Sequence, residues 1–356
     1  MKVTILDRYI GKQVLLSVVF TLLVLVGLRT LFSLLDEAGK MGEGSYQFAD
    51  ALYYVLLLIP GRVYEFFPMA MLIGGLSALG NMSAQNELTV MRAAGVKTIR
   101  IVGSALKVTI ILMVFVFACG EWVAPVSSQS ALQHRAEALS ENTIKRSNRG
   151  TWARSGDDFL HIQSIVNDTR LQNVSLFRFD DNAKLVSFIS ANQAEYKAGS
   201  WVFQNGIEQT PDDEKLKQSS FDEMVWQGDL QPKHIAVLQV EPESLNLSGL
   251  DEYREYLEKN QLDSRRYQLE YWRKLAQPVS LVVMIILASS FIFGPMRSVS
   301  MGARLMTGIV VGFGFHIFNN FFGPISLVYH FPPTMGAFIP VFIFGSLAFY
   351  LLHRAK

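Results

Sequence analysis

The stretch SAQNELTVMRAAGVKTIR, residues 83–100, is a polar island between two long apolar runs. Ser83 or Asn86 can accept from the free N–H groups of a first helical turn. Glu87 puts a negative charge in that turn, where the helix dipole favours it. Leu88 and Met91 are three apart and share a face. Gly95 follows as a left-handed stop residue would, with Val96 next and Lys97 and Arg100 just beyond. The pattern predicts a helix of about ten residues, roughly 15 Å long, within 83–96. It should lie at a membrane surface with a span rising from each end. Such an element can take a push from a soluble partner and hand it to both spans. An ordinary connecting helix would carry the same residues, so the rest of the chain decides between the two.

The 356 residues carry a formal net charge of +1, which argues against nucleic acid as the main partner. Half of the chain is hydrophobic, but the apolar residues are gathered into six windows nearly free of charge. These are about 13–35, 52–80, 100–124, 272–293, 303–325 and 335–352. Each has roughly 18 or more mainly apolar residues, enough to cross about 30 Å of hydrocarbon. The second is interrupted by Pro60-Gly61-Arg62 and by Glu65, which predicts a kink or a tilt. The first lacks a small-residue cleavage site and reads as a retained span. The lone cysteine, Cys119, lies inside an apolar run, so there is neither a disulfide framework nor a cysteine metal site.

Charge sets the orientation. Lys2, Arg8, Lys12, Arg92, Lys97, Arg100, Arg297, Arg304, Arg354 and Lys356 fall on one side of the predicted spans. The two short opposite loops, 36–51 and 326–334, hold only Lys40. The positive-inside rule then puts both termini and the 83–96 helix in the cytoplasm, and residues of about 126–265 outside it.

That outer block begins as a polar helix over 126–147. It then turns to short runs of period near two: FLHIQSIV (159–166), VSLFRF (174–179), KLVSFIS (184–190), WVFQNGIE (201–208), EMVWQ (223–227) and HIAVLQV (234–240). Turn signals at Ser155-Gly156-Asp157-Asp158, Asp180-Asp181-Asn182, Gly199-Ser200 and Thr210-Pro211-Asp212-Asp213 separate them. Many short strands at this spacing predict a sandwich, jelly roll or open barrel. Ser248 can cap a following helix in which Leu250, Tyr253 and Leu257 share a face, and Asn260 to Ser264 breaks it. A further helix from about Arg265 runs through Tyr267, Tyr271 and Trp272 into the fourth span, with those aromatics at interfacial depth. The fold class is therefore an α+β membrane protein. Its parts are 1–125 (three spans with the surface helix), a β-rich block at 126–265, and 266–356 (three spans).

Enzyme signatures are missing. There is no G-x-x-x-x-G-K-[ST] phosphate loop, no H-E-x-x-H and no C-x-x-C. His161 and His234 stand alone on predicted strands. His316, with Asn319 and Asn320 three and four residues on, suits either a pathway or a contact between helices. Lys40 after the first span and Arg135 after the third can meet lipid phosphate, or simply extend into water. Arg62 and Glu65, a turn apart, can pair with each other. The aromatic patches Phe66-Phe67 and Phe318 with Phe322 can line a cavity for acyl chains, or pack helices. A secondary transporter would need acidic residues at mid-span, and the spans offer only Glu65 and Glu121, both toward the outer side.

Several segments together carry a resemblance: LDRYIGK (6–12), FFPMA (66–70), NELTVMRAAGV (86–96), GEWVAP (120–125), RYQLEYWRKLAQP (266–278), SFIFGPMRSVSMG (290–302) and FGPISLVY (322–329). With them the chain resembles, from end to end, the LptF/LptG permease family of the lipopolysaccharide exporter, and its LptG branch more than its LptF branch. The resemblance implies a multi-pass protein of the bacterial inner membrane whose middle block is a periplasmic β-jellyroll between the third and fourth spans. It implies a non-catalytic subunit of an ATP-binding-cassette exporter that extracts lipopolysaccharide and passes it toward a periplasmic bridge. Its partners would be an LptF-like sister permease, two copies of an LptB-like ATPase, and LptC and LptA. The ATPase would use the ATP, and no cofactor would be bound by this chain. Glu87, Leu88, Met91 and Arg92 would form the coupling helix seated on the ATPase. Lys40 and Arg135 would help bind the phosphorylated lipid head. Relatives tend to carry more than one lysine near the end of the first span, whereas here Ser33 and Gly39 leave Lys40 alone. The competing mechanism is a mechanotransmitting subunit that relays ATP work to its outer domain and moves no lipid through its spans.

Overall fold

The computed structural model describes residues 5–140, 150–180, 184–212, 215–232, 234–235, 241–294 and 299–354. Lys2, Arg297 and Lys356, the helix end at 141–147, the turn residues Asp181, Asn182 and Asp213, and strand positions 236–240 lie outside the described residues. In chain order the elements begin with α1 (Ile5–Ala38), α2 (Phe48–Leu57), α3 (Ile59–Ala84), α4 (Glu87–Ala93), α5 (Thr98–Ala118) and α6 (Ala124–Ser140). A π-helical turn, Cys119–Val123, joins the last two. The strands are β1 (Thr151–Ser155), β2 (Asp158–Asn167), β3 (Arg170–Phe179), β4 (Leu185–Lys197), β5 (Ser200–Asp212) and β6 (Lys215–Trp226). Then come α7 (Leu247–Lys259), α8 (Arg265–Phe293), α9 (Met301–Val328) and α10 (Pro333–Arg354). Two compact units result: Met1–Leu139 with Pro242–Leu250 and Arg265–Lys356, and Ser140–Glu241 with Asp251–Ser264.

Among the described residues of the helical unit, six helical segments are long and apolar enough to cross a membrane: α1, α3, the segment Thr98–Ala136, α8, α9 and α10. The predicted second span is corrected in one respect. The run 52–80 is two helices, not one kinked rod, and the break falls at Leu58, before the proline. Pro60 has no N–H to donate back across the junction, and it sits in the first turn of α3, where none is needed. Pro125 sits at the start of α6 in the same way, and the π-helical turn directly precedes it.

Apolar side chains gain little by leaving lipid for protein, so close packing must hold these helices together. Val14 and Val18 of α1, Met71, Leu72 and Leu76 of α3, and Leu281, Met284, Ile285 and Ala288 of α8 are buried in one core. Gly74 permits the α1–α3 crossing: a Cβ there would lie 2.6 Å from Val18 Cα. At the junction of α3 and α9, the Arg304 guanidinium donates to the Gly80 carbonyl at 2.6 Å. That carbonyl lies in the closing turns of α3, where a cation is favoured by the helix dipole.

The surface helix is shorter than predicted. It spans seven residues, because α3 runs on through Ser83 to Ala84. Asn86 is the N-cap and takes a left-handed φ of 61°, with no capping bond from its side chain. The C-terminus behaves as expected. Gly95 has φ +91°, Val96 N–H donates to Met91 O at 3.0 Å, and Gly95 N–H donates to Arg92 O at 2.9 Å. This is the paired bonding of a Schellman stop.

The second unit holds an antiparallel sheet in the order β1 to β6, each strand beside its chain neighbours. The strand β1 was not foreseen, and most predicted runs are longer than read. His234 and Ile235 are helical rather than the start of a strand. One face is apolar and buried, with Leu160, Ile162, Val174, Leu176, Ile189, Ala191 and Phe203. The other carries the cross-strand row Arg154, Phe159, Phe177 and Phe188, and its ring contacts are 4.9 Å from Phe177 to Phe188 and 4.9 Å from the Arg154 guanidinium to Phe159. Such pairs are the unit of sheet stabilisation. A groove of about 580 Å³ lies against Trp152, Phe159, Phe177 and Phe179 on this face. For α7 the predicted cap is corrected: Asn246 Oδ1, not Ser248, accepts from Gly249 N–H at 2.8 Å.

Candidate functional site

At the end of the helical unit that carries α4, the short helix is anchored from one side. Leu88 is buried in the bundle core, and Met91 and Val96 pack against that core. Arg92 and Val90 face outward. Tyr9 of α1 donates its hydroxyl proton to the Glu87 carboxylate, with oxygens at 2.8 and 2.9 Å. Of the four predicted coupling residues, Leu88 and Met91 fasten the helix to the core and Arg92 is presented on its surface. Glu87 also ties the helix to α1.

Just inside this end, Asp7 of α1 is 3 % exposed. Its Oδ1 accepts from Ser104 Oγ at 2.6 Å, and its Oδ2 accepts from Lys107 Nζ at 2.6 Å and Arg100 Nη2 at 3.3 Å. All three donors lie on α5, whose first residue, Thr98, comes five positions after the end of α4. α4 is thus joined to the α1–α5 pair by the Tyr9–Glu87 bond and by the short connection to Thr98. Asp7 was quoted as part of a motif, yet its partners, Arg100, Ser104 and Lys107, are far too distant in sequence to be suggested by spacing.

At the opposite end, the two predicted headgroup residues come together on a third. Glu37 receives Lys40 Nζ at 2.8 Å on Oε1, and Arg135 Nε at 2.9 Å and Tyr46 Oη at 3.0 Å on Oε2. The Arg135 guanidinium also lies over the Tyr54 ring, 5.2 Å from its centroid. Burial, and then the Glu37 carboxylate beside it, pushes the Tyr46 hydroxyl up to about 12. Glu37 was not singled out from sequence, although its i,i+3 spacing to Lys40 was a usable signal. Nearby, Asp50 Oδ1 lies 3.0 Å from His134 Nε2, and Asp50 Oδ2 accepts from Gln47 N–H at 2.8 Å. The Gln47 N–H, and then His134, hold the Asp50 carboxyl below the usual carboxylate range.

The suggested Arg62–Glu65 pair is not made. Arg62 Nη1 instead donates to Thr30 Oγ1 at 3.0 Å across to α1, and Glu65 lies 3.7 Å from His316. His316 Nε2 is also 3.1 Å from Asn320 Nδ2, one turn on in the same helix, so His316 contacts α3 through Glu65 and α9 through Asn320. Phe66 stacks on His316 with centroids 5.3 Å apart. Phe318 and Phe322 pack on each other at 5.3 Å. Phe67 stands apart from these three, in the bundle core. A cavity of about 340 Å³ opens between α3, α8 and α9, but Tyr64, Glu65, Arg273, Lys274 and Asn319 line it rather than the four phenylalanines. Beside it, Lys274 Nζ donates to Gly120 O at 3.1 Å and lies 3.8 Å from Glu121. Among the described residues, no group of three or more His, Cys, Asp or Glu side chains could hold a metal ion.

The comparisons with known proteins cover the whole arrangement. A family model described as "Lipopolysaccharide export system permease LptF/LptG" matches residues 8–354. The chain belongs to the LptF/LptG permease family. It is 38 % identical over 353 residues to the lipopolysaccharide export system permease protein LptG of Escherichia coli strain K12, covering 98 % of each chain. It is 37 % identical over 353 residues to the LptG of Haemophilus influenzae, covering 99 % of each. In this LptF/LptG protein the segments LDRYIGK and NELTVMRAAGV, far apart in sequence, meet through Tyr9 and Glu87. The GEWVAP and RYQLEYWRKLAQP segments meet through Gly120 and Lys274. These four segments thus include residues that hold this chain's helices to one another.

Proposed function

We propose that the chain is the LptG-like, non-catalytic membrane subunit of an ATP-driven exporter that lifts lipopolysaccharide out of the bacterial inner membrane toward a periplasmic bridge. The single observation that carries this reading is the seven-residue α4, anchored inward by Leu88, tied to α1 by Glu87, and presenting Val90 and Arg92 outward. A rod held this way transmits displacement and generates none. Two LptB-like ATPase copies would supply the work at the cytoplasmic end, which holds both termini. An LptF-like sister permease would face the first and fifth spans. The β-rich unit would be the periplasmic jellyroll-like domain, aligned with LptC and LptA. Its antiparallel sheet with a buried apolar face supports a scaffold that can align with them.

ATP-driven closure of the partner would move α4, shift α1 against the companion chain and compress the lipid space between them. This is a two-state change whose differential energy comes from nucleotide on another chain. Phe66, Phe67, Phe318 and Phe322 would serve the acyl chains, Phe67 by supporting its neighbours from the core. Lys40 and Arg135 would meet the phosphorylated head, and Glu37 keeps their charges gathered until the head arrives.

The test is photocrosslinking of lipopolysaccharide to the assembled complex. Lys40→Glu and Arg135→Glu should each cut crosslinking about tenfold, the equivalent of one charge-assisted bond to phosphate. Undiminished crosslinking in both variants would leave these cations without a role in lipid binding. If lipid is never captured at Phe66, Phe318 or Phe322 while ATP still moves the β-rich unit, the subunit relays force only and the export reading is lost.

A further inference from the structure

Between α5 and α6 the backbone breaks step. In the π-helical turn Cys119–Val123, the Ala124 N–H donates to Cys119 O, one residue farther back than in an α-helix. The Gly120 carbonyl loses that donor, and the next candidate, Pro125, has no N–H to offer. Lys274 Nζ of α8 takes the place, donating to Gly120 O at 3.1 Å. The turn is pressed against α3 as well, since a Cβ on Gly120 would lie 2.2 Å from Tyr64 Cδ2. Glu121 then reaches across 126 positions, where its Oε1 accepts from the Leu247 N–H at 2.8 Å. Its Oε2 lies 3.8 Å from Lys274 Nζ, and the two side chains are only 13 % and 9 % exposed.

These contacts close a neck. The chain leaves the helical unit after Leu139 and rejoins it at Pro242. Glu121 stands on the outgoing arm, Leu247 on the returning arm, and Lys274 in the span that follows. Leu247 opens α7, and a carboxylate is favoured at that end of a helix. Beyond Leu250 the same helix belongs to the β-rich unit. There Tyr253, Tyr256 and Leu257 are buried, and Tyr256 Oη donates to Arg154 O at 2.8 Å. Tyr64 lies near the start of α3, and α4 follows directly on the far end of that helix. One helix therefore joins the place where α4 is attached to the neck.

We propose that Glu121 and Lys274 are positioning residues. They clip the outgoing arm to the returning arm, so that a displacement of α3 is carried into α7 and the β-rich unit rather than lost in two slack connections. The clip rests on the reading of α4 as the receiver of ATP-driven work, and it names the point where that work leaves the spans.

The experiment uses the assembled complex in proteoliposomes and reads two quantities: lipopolysaccharide released per ATP hydrolysed, and hydrogen exchange at the Leu247 amide. Glu121→Ala should leave ATP turnover near wild type and lower the release ratio about tenfold, the size of one hydrogen bond to a charged group. Exchange at Leu247 should quicken by about the same factor, as its N–H loses its acceptor. Glu121→Gln keeps both the reach and an acceptor, so it should keep most of the ratio. Glu121→Asp keeps the charge but is one methylene short, so it should resemble Glu121→Ala. If the alanine variant does not assemble, this milder variant carries the test. Lys274→Met should lower the ratio too, and add little to Glu121→Ala, because both break one clip.

A wild-type ratio in Glu121→Ala, with exchange at Leu247 quickened, makes the bond structural only and overturns the clip. Unchanged exchange overturns it by showing that the bond is not made in the complex. ATP turnover and release falling in proportion point to assembly rather than to positioning, and overturn it as well. Losses that multiply in the Glu121→Ala, Lys274→Met double variant overturn the shared role. The unmodified complex separates the two levels of the account. If its release does not depend on ATP, the driving-force reading fails; if it does while the Glu121 variants keep the ratio, only the clip fails.

Discussion

Asp7→Ala is expected to cost about 3 kcal/mol of stability, because it leaves Lys107 and Arg100 facing a vacated, buried position. The carboxylate is 3 % exposed and bonds Ser104 and Lys107 at 2.6 Å each. Removing one partner of a buried pair costs more than the pair contributes, since the surviving charge loses both water and partner. The lower end of the usual range applies because Arg100 is nearly half exposed and can turn to solvent. Asp7→Asn should fall between wild type and Asp7→Ala, since it keeps an acceptor for Ser104 and loses the charge that holds Lys107. Thermal unfolding of the purified complex reads this order. A wild-type transition for Asp7→Ala would mean that the α1–α5 clamp contributes nothing.

Gly74→Ala is expected to separate α1 from α3. The added Cβ would meet Val18 Cα at 2.6 Å and Val18 N at 2.7 Å. Those are backbone atoms, so no rotamer change relieves the contact and one helix must back away. Overpacking of this kind costs about 3 kcal/mol or more when backbone has to move. It also strips the neighbouring buried contacts of Val14, Val18 and Met71. Gly103→Ala is the matched control, since nothing stands within 4 Å of its added Cβ. The Gly74 variant should assemble poorly or unfold well below wild type, and the Gly103 variant should behave as wild type. Equal stability of the two would show that the crossing does not depend on a residue without a side chain.

How much of this was legible in the sequence depends on the range of the interaction concerned. Six apolar runs announced the spans because length and hydropathy are local properties. The Gly95 stop was legible for the same reason. The break at Leu58 was misplaced, because a proline in the first turn of a helix looks, in sequence, like a proline inside one. Asn86 could be offered as a cap beside Ser83, but the Asn246 cap was hidden by Ser248, a serine that could have served as well. Lys40 and Arg135 could be named as cations, but Glu37 joins them across 98 positions on one side and three on the other. Arg62 and Glu65 invited pairing by spacing, yet tertiary packing gave each a different neighbour. The family segments stood out in sequence, while the reason several of them matter, contacts between distant helices, emerges only in three dimensions.

The most direct measurement of the account is ATP-dependent lipopolysaccharide release from proteoliposomes whose complex carries Glu87→Ala, with Tyr9→Phe run beside it. The account predicts normal assembly and release reduced about tenfold for Glu87→Ala, a loss of the size of one charged contact. Tyr9→Phe should lose less, because it leaves the carboxylate free to engage the ATPase. Wild-type release by a fully assembled Glu87→Ala complex would contradict the claim that this chain receives its driving force through α4.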